Sequence, residues 1–254
     1  MRIETRSLTV RYGTFLAVAG VSLTVEPGTV LAVVGPNGSG KSSLVKAIAG
    51  LCPADGEILF DGSTARPPQI GYMPQDIGAR AALTVLEVVL LGRLGKLGLR
   101  VGPTDLAAVQ TVLDELGIGA LAPRYLAELS GGQRQLAFLA QALACQPPIL
   151  LLDEPISALD IRHQLQVLEI VRDLTRTRGI ATLIVVHDLN AAIRFADGLA
   201  LLHQGQLIAH GAPETVLTAQ TLKDVFAVEA AIHRGPDRRP FVIPLRSLNR
   251  EASP

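Results

Sequence analysis

The sequence contains no tryptophan, and aromatic residues make up only 4% of it. Proteins that hold single-stranded nucleic acids do so on stacking aromatic side chains, so this scarcity argues against that class of partner. Basic and acidic side chains balance at 23 each. With a formal net charge of zero, no overall field would draw the chain to nucleic acid or to an anionic membrane.

Cysteine is equally scarce, since Cys52 and Cys145 are the only two. They lie far apart and outside any metal-binding spacing, which predicts reduced thiols of the kind found in a cytosolic protein. The first residues include no apolar signal segment, and no apolar run approaches the roughly 18 residues needed to cross a bilayer. We expect a chain that is soluble, or that attaches to a membrane through a protein partner.

A glycine-rich loop of the kind that surrounds phosphate groups follows a short apolar run over residues 30–34. The loop consists of Gly35, Pro36, Asn37, Gly38, Ser39, Gly40, Lys41 and Ser42. In this pattern the backbone N–H groups point at phosphate oxygens, the lysine reaches the outer phosphates and the serine hydroxyl holds Mg²⁺. Helix-forming residues follow and would direct the positive end of a helix dipole at the nucleotide. The sequence therefore predicts a nucleoside triphosphate site.

A second candidate feature is the apolar run over residues 149–152, which ends in Asp153 and Glu154. A continuous apolar run is typical of a strand buried on both faces of a parallel sheet, and ligands bind at the carboxyl ends of such strands. Asp153 is then placed to hold Mg²⁺, and Glu154 to polarise an attacking water. Two adjacent acids can also be a solvated strand end, but the phosphate loop favours the functional interpretation.

His187 follows another apolar run, over residues 181–186. It would lie at the same level of the sheet as the two acids, so we expect a role at the γ-phosphate. The other histidines have no such placement.

Ser130 precedes two glycines and Gln133 at the start of a predicted helix that runs to about Ala144. Serine is a favoured helix N-cap. Gly131 and Gly132 are poor helix formers, because each glycine in a helix costs about 1 kcal/mol of stability relative to alanine. Their presence could simply mark a helix start after a loop. It is easier to explain if bare N–H groups approach an anion closely.

The remaining segments alternate between strand and helix patterns. Strands are predicted at 3–10, 18–25, 56–62 and 70–73, and a hairpin over 199–210.

Helical spacing from about Leu83 to Ala127 predicts a helical subdomain inserted in an α/β core, with Leu106 among its apolar positions. The basic residues Arg93, Lys96 and Arg100 in it are predicted to form a solvated face; contact with lipid head groups or a partner is the alternative. A helix from Ile161 to Arg178 is predicted to place Ile161 on its apolar face. Short helices near 213–226 and a proline- and arginine-rich tail complete the chain.

In this order, the segments closely resemble the ATP-binding subunit of ABC transporters over about residues 3–226. The resemblance implies that Tyr12 stacks on adenine and that residues 35–42 with Ser43 form the Walker A nucleotide site. It also implies that three residues are catalytic, namely Lys41, Glu154 and His187. It implies Mg²⁺ held by Ser42, Asp153 and Gln75, where Gln75 forms the Q-loop. The remaining motifs are the signature, Ser130, Gly131, Gly132 and Gln133, and the D-loop, Ala158, Leu159 and Asp160.

The family's fold is a P-loop NTPase α/β core with an N-terminal antiparallel β region and an inserted α-helical subdomain, here expected at about 83–145. Residues 1–254 would form a single ABC ATPase domain with a C-terminal tail from about 227. The resemblance implies ATP and Mg²⁺ as cofactors. Two copies would associate head to tail, each signature binding the partner's ATP. Two transmembrane permease subunits and, indirectly, an extracytoplasmic substrate-binding protein are the other expected partners. No nucleic acid partner is expected, and the location is peripheral, at the cytoplasmic face of the cell membrane.

Four segments, at 83–93, 159–164, 187–192 and 240–245, look like those of iron–siderophore, haem and cobalamin importers, and ferric siderophore is the expected cargo. The stretch between Asp61 and Pro74 is shorter than in siderophore ATPases and closer in length to that of zinc or manganese importers. Leu136 and Ile156 also depart from the family's usual arginine and threonine. A soluble ABC ATPase outside transport is a further alternative, although the chain lacks the tandem cassettes typical of that class.

Overall fold

The computed structural model describes residues 1–75, 82–94, 101–157, 159–235 and 239–248. The strands are β1 (Ile3–Tyr12), β2 (Phe15–Val25), β3 (Val30–Val34), β4 (Asp55–Phe60), β5 (Ile70–Met73), β6 (Ile149–Asp153), β7 (Ala181–Val185), β8 (Gly198–His203), β9 (Gln206–Gly211), β10 (Val228–Arg234) and β11 (Pro240–Ser247). The helices are α1 (Lys41–Ala49), α2 (Val85–Leu91), α3 (Pro103–Glu115), α4 (Gly131–Leu143), α5 (Ile161–Arg178), α6 (Leu189–Phe195), α7 (Pro213–Val216) and α8 (Ala219–Phe226).

The central sheet has the order β5-β6-β7-β3-β8-β9. Its strands are parallel except β9, which pairs antiparallel with β8 at one edge. Because β3, β6 and β7 are adjacent and parallel, the segments that follow them meet at one edge of the sheet, the usual place for ligands. Those segments are the phosphate loop, the Asp153–Glu154 pair and His187.

Strands β3, β6 and β7 are buried on both faces, as their apolar sequences predict. In β6, Leu150 and Leu152 join the core cluster that includes the helices between β5 and β6. Ile149 and Leu151 face the other way, into a cluster that contains α1 and the antiparallel sheet β2-β1-β4. The predicted α/β core with an antiparallel N-terminal region is therefore confirmed.

Arg93 lies in the helical region between β5 and β6, and the prediction that it belongs to a solvated face is wrong. It is 9% exposed. Its guanidinium donates to Asp105 Oδ1 at 3.1 and 2.9 Å and to the Ala144 carbonyl at 3.0 Å. These bonds join the end of α2 to the first turn of α3 and the end of α4. Lys96 and Arg100 lie outside the described residues.

Two apolar positions of the predicted helices also differ from expectation. Ile161 is 75% exposed and Leu106 is 44% exposed. Ile161 is the first residue of α5, and the buried face of this helix begins only at Val167 and Leu168. In α3 the side chain buried near the N-terminus is Asp105, because it pairs with Arg93.

The segment after α8, predicted as a tail, forms an antiparallel hairpin of β10 and β11. The consecutive β-forming residues at 241–243 are a strand signal, which the prolines on either side obscured. Within the described ranges, no helix combines the length and apolarity that a membrane span requires.

Candidate nucleotide site

A pocket of about 330 Å³ opens at the sheet edge where the phosphate loop lies. Its wall brings together residues that are far apart in sequence: Phe15, Ala17, Asn37, Gly38, Ser39, Gly40, Lys41, Ser42, Ser43, Gln75, Glu154 and His187. The predicted loop residues, the Q-loop glutamine, the second acid and the histidine therefore share one cavity. Because α1 begins at Lys41, its N-terminus points at this cavity and favours an anion there.

Two loop glycines are required by close backbone contacts. A Cβ at Gly35 would lie 2.1 Å from the Leu202 carbonyl oxygen, and one at Gly40 would lie 2.1 Å from the Ala17 carbonyl oxygen. Gly40 also has φ of +97°, a conformation that side chains rarely adopt. The loop can curl over the pocket only because these positions carry no side chain.

Lys41 is the most buried cation of the pocket, at 4% exposure. Its Nζ donates to the carbonyls of Gly35 at 2.9 Å and Pro36 at 2.8 Å. An ammonium has three donors, so one remains for a phosphate oxygen. Burial lowers the pKa of Lys41, while the nearby Glu154 and Asp153 oppose that shift.

Asp153 lies beneath the loop at the end of β6 and is 1% exposed. Its Oδ1 accepts from the Ser42 hydroxyl at 3.0 Å, and its Oδ2 is buried without a hydrogen-bond partner. Burial raises the pKa of Asp153, and the Ser42 bond partly offsets this effect. The Tyr72 hydroxyl, on β5, is also buried without a partner, and burial with the charge of Asp153 raises its pKa to about 12.

Glu154 and His187 are in direct contact, with 2.5 Å between Oε1 and Nε2. An ionised carboxylate can only accept, so Nε2–H donates when Glu154 is charged. The Glu154 side chain is 9% exposed and that of His187 is 40% exposed. The histidine thus fixes one carboxylate oxygen at the pocket wall, and the other can bind a water.

Tyr12 and Phe15 are paired neighbours at the turn between β1 and β2. Both are exposed, Tyr12 by 47% and Phe15 by 62%. Of the residues that the structure describes, Phe15 belongs to the pocket wall and Tyr12 does not. Sequence reasoning missed Phe15, although an aromatic residue three positions after Tyr12, in a chain this poor in aromatics, could have been noticed.

The signature segment begins α4 as predicted. The Ser130 hydroxyl accepts from the Gln133 N–H at 3.3 Å, and Gln133 Oε1 accepts from the Ser130 N–H at 3.2 Å. Gly132 is buried, and a Cβ there would lie 2.8 Å from His163 Cδ2. A packing contact with the α5 histidine therefore gives a second reason for this glycine, besides approach to an anion. In the described part of the chain, Ser130–Gln133 take no part in the pocket wall.

Of the D-loop residues, Ala158 lies outside the described residues, and Leu159 packs against the main core. Asp160 is the N-cap of α5. Its carboxylate accepts from the His163 N–H at 3.0 Å and lies 2.9 Å from His163 Nδ1. These bonds lower the pKa of Asp160. Through His163, the D-loop is thus in contact with the signature glycine.

A phosphate loop lies between a buried strand and a helix, and its serine is bonded to an acid at the end of β6, which β7 separates from β3. This arrangement defines a P-loop nucleoside triphosphatase. The particular family follows from comparison: the ABC transporter family model matches residues 18–157, more than half of the chain. This chain belongs to the ABC transporter family, as one of its ATP-hydrolysing, ATP-binding subunits.

Curated relatives extend this similarity over nearly the whole length. The hemin import ATP-binding protein HmuV of Bradyrhizobium diazoefficiens is 39% identical over 99% of this chain and 97% of its own. The ferric enterobactin transport ATP-binding protein FepC of Escherichia coli is 35% identical over 96% of this chain and 94% of its own. Among solved structures, a putative metal-chelate type ABC transporter in an inward-facing conformation matches with a TM-score of 0.86 and 29% identity. That match covers 96% of this chain and 97% of the other.

Proposed function

We propose that this chain is the ATP-hydrolysing subunit of an importer that takes up a metal chelate, with ferric siderophore as the cargo, through a separate permease. The observation that carries the proposal is the full-length similarity to relatives named for hemin and ferric enterobactin transport. Segments 83–93, 159–164, 187–192 and 240–245 resemble the same group of importers. Residues 1–254 would form one ATPase domain with the helical subdomain at about 83–145.

ATP would be held by the phosphate loop from Gly35 to Ser43, with Lys41 on the outer phosphates. The third donor of Lys41 and the N-terminus of α1 both favour negative charge at that place. Tyr12 is the proposed adenine contact by resemblance, and Phe15 by its place in the pocket wall.

The residues near Asp153 fit a magnesium ion. Its Oδ2 is a buried carboxylate oxygen without a partner, and its Oδ1 already bonds the Ser42 hydroxyl. Oxygen ligands of this kind are those that Mg²⁺ prefers. Ser42, Asp153 and Gln75 would hold the ion, which neutralises charge on the β- and γ-phosphates when bound.

Glu154 is the proposed general base, and His187 its positioning partner near the γ-phosphate. The carboxylate would accept a proton from water as the water oxygen attacks the γ-phosphorus. The bond from that phosphorus to the bridging oxygen breaks, and ADP and phosphate result. The 2.5 Å contact with His187 holds the carboxylate where such a water can be bound.

The site within one chain is incomplete in this proposal. Ser130, Gly131, Gly132 and Gln133 form an N-terminal helix end suited to an anion, yet in the described residues they do not join the pocket wall. A second copy, associated head to tail, would bring its signature to the ATP held here. The closed dimer would act on two permease subunits through Gln75, at the cytoplasmic face of the membrane. An extracytoplasmic binding protein would deliver the cargo.

Growth of a deletion strain tests the cargo directly. Without this gene, growth on a ferric siderophore as the iron source should fail, while growth on haem and on limiting zinc or manganese should continue. The Lys41→Ala protein should not restore growth, whereas the wild-type protein should. Unaltered siderophore-dependent growth would contradict the proposal.

Zinc or manganese uptake is the second candidate, favoured by the short segment between Asp61 and Pro74. Loss of growth only at limiting zinc or manganese would establish it, and loss only on haem or cobalamin would indicate the other importers of the group. Failure to co-purify with any polytopic membrane protein would instead favour a soluble ABC ATPase outside transport.

A further inference from the structure

Helix α6 begins two residues after His187, and its N-cap residue follows the histidine directly. Asp188 is its N-cap, and the carboxylate accepts from the N–H groups of Asn190 at 2.8 Å and Ala191 at 3.1 Å. These bonds join the backbone that carries His187 to the first turn of the helix. A shift of that turn would therefore move the imidazole relative to Glu154.

The outer side of this turn is bonded to the C-terminal hairpin. Asn190 Oδ1 accepts from the Val242 N–H at 2.8 Å, and Asn190 Nδ2 donates to the Val242 carbonyl at 3.1 Å. The amide thus pairs with both backbone groups of one residue of β11, as a neighbouring strand would. At the other end of α6, Arg239 donates to the Arg194 carbonyl. The hairpin holds α6 at both ends.

Apolar packing also joins the first turn to the hairpin, because Leu189 and Val242 belong to one hydrophobic cluster. A pocket of about 240 Å³ opens beside this contact and is lined by Leu189 on α6, Phe226 on α8, and Val228 and Pro244 on the hairpin. Apolar side chains border this space without filling it. The packing here is therefore incomplete, and the two hydrogen bonds of Asn190 add a directional link whose length and angle apolar contacts do not fix.

We propose that Asn190 is a positioning residue for ATP hydrolysis: by bonding Val242, it lets the C-terminal hairpin set the distance between His187 and Glu154. This inference rests on the proposed function of that pair. A displacement of about 1 Å in a catalytic group can cost about 100-fold in rate. Loss of the link therefore lowers turnover and leaves nucleotide binding at the phosphate loop unchanged.

The test uses the full-length chain with substitutions at Asn190. Asn190→Ala removes both bonds and should lower kcat by about 10- to 100-fold with the KM for ATP unchanged. Asn190→Asp retains the acceptor for the Val242 N–H but places a second oxygen against the Val242 carbonyl, so its kcat should be intermediate. Gln220→Ala is the control, because Gln220 lies on α8 and bonds only Asp224 among the described residues.

A double-variant cycle distinguishes positioning from general loss of stability. If Asn190 acts through His187, Asn190→Ala should lower kcat little further once His187→Ala is present. A full additional loss in that background would overturn the inference, as would an effect on KM alone or a wild-type kcat in both Asn190 variants. If the alanine variant does not fold, the aspartate variant is used in the same cycle.

An activity-independent measurement separates this inference from the proposed function. In the wild-type protein, the His187 imidazole nitrogen signals in NMR should carry the signature of the Glu154 hydrogen bond, and Asn190→Ala should shift them. Unchanged His187 signals would overturn the positioning role even if hydrolysis fell. Absence of hydrolysis in the wild-type protein would count against the proposed function, and the NMR comparison would still decide the role of Asn190.

Discussion

Glu154 has a backbone φ of +55°, a left-handed conformation that residues other than glycine rarely adopt. Such strain is found where the surrounding structure imposes it, often at functional sites. Here the Glu154 N–H donates to the Val185 carbonyl at 3.2 Å, and the side chain is bonded to His187. The conformation places Glu154 at the pocket wall, where the proposed general base would act.

Replacing Glu154 by glutamine should lower ATP turnover by about 10²–10⁴-fold, because the amide cannot accept the proton of the attacking water. ATP binding should persist, since the phosphate loop is unchanged. Steady-state hydrolysis and equilibrium binding of ATP measure the two effects. Glu169→Gln, on the exposed side of α5, is the matched control. Near-normal turnover in Glu154→Gln would contradict the role as base.

Phe15 and Tyr12 compete for the adenine contact, and substitution distinguishes them. Loss of a base-stacking aromatic costs about 1–3 kcal/mol, or about 5- to 150-fold in affinity. Because Phe15 lines the pocket wall, Phe15→Ala should weaken ATP binding by that amount and Phe15→Tyr should preserve it. Tyr12→Ala measured in parallel gives the comparison. Weakening only in Tyr12→Ala would restore the assignment that the family resemblance implies.

At the scale of elements, the contact between α4 and α5 links two motifs that face the proposed partner. The signature starts α4 and the D-loop precedes α5, and His163 touches Gly132 while bonding Asp160. A rigid contact at this place would let the two motifs approach a second subunit as one unit. The reason for the glycine is then open to test.

Gly132→Ala should destabilise the protein by about 1–3 kcal/mol, because the new methyl group overlaps the His163 ring. Adding His163→Ala should restore the stability if packing is the reason for the glycine. Thermal unfolding measures the stability of the single and double variants. ATP turnover should also recover in the double variant; recovery of stability without turnover would show that the glycine serves close approach to an anion.

Arg93 joins three helices, and its loss should destabilise the chain more than loss of a surface arginine. Arg93→Met keeps an apolar stem but leaves Asp105 without its cation. Arg124→Met is the control, since exposed ion pairs contribute little. The urea midpoint at pH 7 should fall clearly further in Arg93→Met. Equal midpoints in the two variants would contradict a structural role for the pair.

The Arg93–Asp105 pair also predicts how the loss of stability in Arg93→Met depends on pH. Hydrogen bonds from the Gly102 N–H and from Arg93 hold the pKa of Asp105 below its usual value. A lowered folded-state pKa stabilises the protein above the unfolded-state pKa of about 3.9 and loses this effect as pH falls. The urea midpoint of wild type should therefore exceed that of Arg93→Met by the full amount at neutral pH. This difference in midpoint should become smaller below about pH 4.

At the scale of the whole molecule, the separation of the signature from the pocket predicts that sites are shared between subunits. Lys41→Ala disables the phosphate loop, and Ser130→Arg blocks the signature. Each variant alone should be inactive. Mixed before assembly, they should recover roughly a quarter of the wild-type turnover, because half of the dimers are mixed and each holds one intact site. No recovery would indicate that hydrolysis is completed within one chain.

The sequence by itself determined the parts whose chemistry is local. The loop from Gly35 to Ser42, the apolar strands ending at Asp153 and at residue 185, and the Ser130 cap each depend on neighbours within a few residues. Parallel strands place their carboxyl ends together, so the meeting of Lys41, Glu154 and His187 was also predictable. The capping box of Thr84 and Glu87 in the structure is equally local, since its two residues lie three positions apart.

The tertiary structure alone decided the contacts made across long separations. Arg93 is buried because it bonds Asp105 and the Ala144 carbonyl. That carbonyl lies 51 positions away in sequence, where no local charge pattern reveals it. Among the described residues, Phe15 and not Tyr12 belongs to the pocket wall, because β2 passes next to the phosphate loop at Ala17 and Gly40. The bond from Asn190 to Val242 spans 52 positions. Each of these depends on where separate elements pack, which local sequence preferences do not encode.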